Sequence, residues 1–66
     1  MKNQVRELRQ KLGLTQQQLA EQVRVSSRTI ISLENGKYNA SLVLAHKLAR
    51  YFSCTIEDIF LFDEEE

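Results

Sequence analysis

Apolar residues along this chain recur at helical rather than strand spacing and fall into five groups separated by polar punctuation. Val5, Leu8 and Leu12 make one face of a first helix over 3–12, with Lys2, Arg6, Arg9 and Lys11 mostly off it. Gly13 follows as a left-handed stop. Leu19, Ala20 and Val23 form the inner face of a second helix. Thr15 caps it, with Gln18 three residues on, as in a capping box. Arg24-Val25-Ser26 reads as a tight turn, and Ser26 is a good N-cap for a third helix over 27–35. There Ile30 and Leu33 point inward with Val25, and Gly36 ends the helix where positive φ is least strained. After a polar connection over 39–41, Ser41 caps a fourth helix whose Leu42, Ala45, Leu48, Ala49 and Phe52 make a continuous stripe. Thr55 caps a last short helix with Asp58 three residues later, and Ile56, Ile59 and Phe60 supply its apolar side. Whether Leu61-Phe62 adds a short C-terminal strand stays open. The pattern predicts an all-α, five-helix fold, one domain over 1–66 with an acidic tail over 61–66.

The second and third helices carry the functional signal. They are short and joined by a tight turn, and the third places small polar side chains on a face with no reason to be buried. That arrangement suits a helix pushed into the major groove of DNA to read base edges.

A chain of 66 residues is small for a single core, so compact helix packing, helped by dimerisation, is expected. Net charge is zero, which on its own argues against nucleic acid. Its distribution reverses that inference. Residues 1–56 hold all nine Lys and Arg against three acids, whereas residues 57–66 hold six acids and no base. A basic body can meet phosphate while an acidic tail stays away from it. The single Cys54 forms no intramolecular disulfide and suits a reducing compartment. No apolar run approaches a membrane span and nothing resembles a signal peptide, so a cytoplasmic protein is expected.

The chain resembles the phage-repressor-like (Xre/Cro-type) helix-turn-helix regulators of small, stand-alone bacterial type. The resemblance rests on Leu14-Thr15-Gln16, Leu19-Ala20, Val25-Ser26, Thr29-Ile30 and Leu33-Glu34-Asn35-Gly36-Lys37. It continues through Ser41-Leu42, Ala45, Leu48-Ala49 and the Ile56-Glu57-Asp58-Ile59-Phe60 ending. It implies a lambda-repressor-like domain that binds double-stranded DNA as a homodimer and acts as a repressor. It places Gln16 on a backbone phosphate, bracing the third helix. It sets Ser27, Arg28 and Ser32 at base-reading positions, with Gln17, Ser26 and Thr29 beside the DNA. Asn35, Lys37, Tyr38 and Asn39 lie in a loop resembling the family's second phosphate clamp. Arg9 and Glu34 match a structural ion pair between helices one and three. Ile31, one step from Ile30, faces DNA or solvent, where it would contact a thymine methyl group. Two positions depart from the family pattern: Arg24 stands where glycine is common and Ala40 where proline is frequent. A left-handed Arg24 would be strained; either the turn differs slightly or Arg24 serves a phosphate contact.

Ile59, Phe60, Leu61 and Phe62 form four consecutive apolar residues, more than a one-turn helix covers on one side. Either a second copy covers the excess or the segment folds back onto helices one and four. The first alternative fits a two-fold dimer reading a palindromic operator. His46 is alone and lacks a metal partner, Cys54 lacks an activating neighbour, and the serines lack a base, so no enzyme, metal, cofactor or small-molecule ligand is expected. An antitoxin-like partner of a toxin and a protein-interaction module without DNA binding are the alternatives from other classes.

Overall fold

The computed structural model describes residues 2–61. Five helices follow one another: α1 (Val5–Lys11), α2 (Gln16–Val23), α3 (Ser27–Glu34), α4 (Leu42–Phe52) and α5 (Ile56–Ile59). Four of them begin on a hydroxyl cap. Thr15, Ser26, Ser41 and Thr55 each accept the backbone N–H three residues on, satisfying one of the donors a helix start leaves open. At Thr15 and Thr55 the bond is reciprocated by the side chains of Gln18 and Asp58. The start of α1 is different. The side-chain oxygen of Asn3 takes the Val5 N–H at 3.1 Å, and residue 4 makes no side-chain cap.

The first four helices stop in the same way. The N–H beyond each left-handed residue bonds a carbonyl five residues back: Leu14 to Arg9, Val25 to Ala20, Lys37 to Ser32 and Cys54 to Ala49. This is the Schellman closure, which needs positive φ at the residue before the donor. Gly13 (φ 70) and Gly36 (φ 74) meet that need without strain, while Arg24 (φ 61) and Ser53 (φ 57) meet it with a side chain attached. Each of the latter costs about 1 kcal/mol against glycine. Leu14, Val25 and Cys54 then pack their side chains against the core.

The core joins all five helices through Val5, Leu19, Ala20, Val23, Ile30, Leu33, Leu44, Ala45, Leu48, Ala49, Ile59 and Phe60. The most extensive pairing is between α2 and α3, where Ala20 allows close approach. The chain ends meet in extended conformation. Asn3 and Phe60 form an isolated antiparallel bridge, flanked by Gln4 N–H to Ile59 O at 2.8 Å and Leu61 N–H to Lys2 O at 3.0 Å.

Several placements differ from the sequence pattern. Leu42 is 80% exposed and Leu44 is buried in its stead. The buried stripe of α4 is centred on Leu48, and six residues of helix turn Leu42 about 120° away from it. Leu12 is exposed because α1 has ended at Lys11 and the chain is already turning into Gly13. The first helix begins at residue 5 rather than 3, since Asn3 belongs to the bridge. Ile59 and Phe60, assigned from sequence to a dimer face, are enclosed by their own chain. The bridge to Asn3 folds them inward, as in the fold-back alternative, and leaves Leu61 part-exposed. Phe62 and the acidic run 63–66 lie outside the described residues.

Candidate nucleic-acid interface

Helix α3 has two contrasting faces. Ile30 and Leu33 point into the core, so the helix cannot rotate without exposing them. One residue on from each buried position the environment changes. Ile31 is 41% exposed, whereas the Glu34 side chain is fully shielded and held by three partners.

Arg9 of α1 makes a forked contact with that carboxylate: Nε donates to Oε2 at 2.6 Å and Nη2 to Oε1 at 3.2 Å. Its remaining Nη1 donates to the Leu14 carbonyl at 2.8 Å, tying the pair to the turn after α1. Gln16, at the start of α2, donates Nε2 to Glu34 Oε1 at 3.1 Å. Arg6 reaches the same carboxylate oxygen at 3.5 Å and also donates to the Asn35 side-chain oxygen at 3.2 Å. Burial alone would raise the pKa of Glu34. The hydrogen bonds from Arg9 and Gln16, with the Arg9 charge and the Arg6 bond, outweigh it and hold the carboxyl below the usual carboxylate range. Asn3 adds a further tie, donating Nδ2 to the Leu33 carbonyl at 2.8 Å. The C-terminal half of α3 is therefore fastened to α1, α2 and the N-terminal segment.

Arg6 and Asn3 were not identifiable as part of this brace from sequence. Arg6 stands three residues before Arg9 on α1, which places both on neighbouring lines of the helix, and that spacing was the available signal. For Asn3 no local pattern points to a partner 30 residues away.

The N-terminal half of α3 is open. There Arg28 is exposed and Ser27 half-buried; Ser32, farther along the helix, is also half-buried, and none of the three side chains makes a hydrogen bond or ion pair to the described chain. Ser26 and Thr29 differ: their hydroxyl oxygens lie 3.1 Å apart, and Ser26 Oγ also caps the helix, so both are partly committed to α3 itself. Lys37, Tyr38 and Asn39 are exposed after the helix, and their side chains likewise have no polar partner among the described residues. Asn35 gives its oxygen to Arg6 and keeps its amide donors. Gln16 uses one N–H on Glu34 and retains a second, while Gln17 donates to Glu21 at 3.1 Å on the surface of α2. The exposed side of α3, with the start of α2 and the loop after α3, thus carries one arginine, one lysine and several neutral donors on elements fixed by the Glu34 brace.

Among the described residues no cluster of His, Cys, Asp and Glu could hold a metal ion. Burial, reinforced by the Asp58 charge, pushes the Cys54 thiol up, away from the thiolate form a nucleophile needs. No described helix is long and apolar enough to cross a membrane.

The helix-turn-helix family model matches residues 5–59, nearly all the described chain. An uncharacterised HTH-type transcriptional regulator of Archaeoglobus fulgidus is 54% identical over 66 residues, covering all of this chain and 94% of the relative. One from Bacillus subtilis is 45% identical over 65 residues, covering 98% of both chains. A competence pilus inhibition repressor of Acinetobacter baylyi is 43% identical over 60 residues, covering 91% of this chain but 54% of the longer relative. The relatives span archaea and bacteria, a wider range than the resemblance to small bacterial regulators implies.

Proposed function

Because this chain belongs to the helix-turn-helix family of DNA-binding transcriptional regulators, we propose that it represses transcription by binding a palindromic operator as a homodimer. Helix α3 enters the major groove. Arg28 makes a bidentate bond to guanine, Ser27 and Ser32 read neighbouring edges, and Ile31 meets a thymine methyl group. Gln16, Asn35, Lys37, Tyr38 and Asn39 fix the register on backbone phosphates, with Gln17, Ser26 and Thr29 alongside. The observation that carries this reading is the contrast within α3: its C-terminal end is fastened by a buried carboxylate, while the side chains of Ser27, Arg28 and Ser32 have no polar partner among the described residues.

Repression is supported by the Acinetobacter relative, which is named a repressor. Dimerisation is supported by apolar surface left uncovered. Leu42 is 80% and Val43 63% exposed in the first turn of α4, and Leu61 is 37% exposed. These residues, rather than Ile59 and Phe60, are the ones available to a second copy, which would space two α3 helices about 34 Å apart. A DNA target places the action in the cytoplasm.

Selection of binding sites from random duplex DNA tests the proposal. An inverted repeat with half-sites about one turn apart is expected. Recovery of no motif, with only weak salt-sensitive binding, would reject it in favour of a protein-interaction module.

A further inference from the structure

A second group of cations lies away from Arg28 and Lys37. Arg24, Lys47 and Arg50 line an open concavity of about 480 Å³ between the end of α2 and the outer face of α4, with His46, Gln22 and Tyr51 completing it. Among the described residues no carboxylate lines this surface. None of the three cations has an ion pair or hydrogen bond to the described chain, although like charges so grouped repel one another. Lys47 and Arg50 are three residues apart on one exposed side of α4. Arg24 holds the left-handed conformation that glycine adopts with less strain, and its side chain makes no polar contact within the described chain that would offset the difference. It also stands two residues before Ser26, the cap of α3, so the concavity borders the end of the helix that carries Arg28.

From this placement we infer that Arg24, Lys47 and Arg50 form an additional phosphate-binding surface, which grips the DNA backbone beside the segment read by α3. The inference rests on the DNA-binding reading, since the duplex is the polyanion that α3 brings to this edge of the molecule. The contacts are to phosphate alone. They raise affinity for every sequence equally and leave base preference to α3.

The test is the salt dependence of binding to a short duplex of fixed random sequence, measured for the full chain and for Arg24→Gly, Lys47→Gln and Arg50→Gln. Each variant is expected to bind less tightly and to lower the slope of log K against log salt by about one. Arg24→Gly is the sharpest case, because glycine relieves the backbone and the melting temperature should hold or rise as binding weakens. Unchanged slopes in all three variants would overturn the inference. Because the duplex is not the selected operator, these outcomes are independent of whether a sequence motif is recovered.

Discussion

The two halves of α3 lie in one short helix and make opposite use of polar side chains. In the C-terminal half Glu34 is sealed among Arg9, Gln16 and Arg6, every acceptor satisfied from within. In the N-terminal half the exposed Arg28 side chain has no polar partner among the described residues. An internal network gives rigidity and no recognition; an uncommitted row of donors gives recognition only if something else makes it rigid. In the proposed reading the helix obtains both by setting them at different positions along its length.

The comparison breaks most severely at the brace. Glu34→Ala should destabilise the fold by about 3–5 kcal/mol, because Arg9, whose side chain is 12% exposed, would lose its only close carboxylate among the described residues. Urea unfolding measures this, and Arg9→Ala together with Glu34→Ala should cost less than the two losses added. Next comes a pair of neighbours. Ile30→Ala should cost about 2–5 kcal/mol through the cavity it opens, while Ile31→Ala, one residue on, should stay within about 0.5 kcal/mol. Equal effects at 30 and 31 would mean the faces are wrongly assigned. A smaller effect is expected from acid. Glu34 has a folded pKa below its unfolded value, so its contribution is complete above the unfolded value of about 4.3. It is lost as pH falls through the lower folded value. Melting temperature should therefore decline on acidification through that window, and Glu34→Gln should flatten the decline.

The sequence made some features legible and hid others for identifiable reasons. Thr15, Ser26, Ser41 and Thr55 announced four helix starts because a hydroxyl cap is a local device. Gly13 and Gly36 announced two stops for the same reason. The left-handed Ser53 was invisible, since serine has no preference for that conformation and only the packing of α4 and α5 places it there. Leu42 was exchanged for Leu44 because α4 opens with four apolar residues, Leu-Val-Leu-Ala, and such a run does not set its own phase. Ile59 and Phe60 looked surplus because the strand-like bridge that buries them pairs Phe60 with Asn3, far away in sequence. Within the candidate interface, the exposure of Ile31 followed from its helical spacing to Ile30, and that of Arg28 from the family resemblance. The engagement of Asn35 by Arg6 did not, because it depends on how α1 lies against α3.

The most direct test is the base-preference profile of Arg28→Ala beside the unaltered chain, with melting temperatures recorded for both. The account predicts an unchanged melting temperature and the loss of about 1–3 kcal/mol of discrimination at a guanine position, with other positions retained. An identical profile from the variant would contradict the assignment of the open half of α3 to base reading.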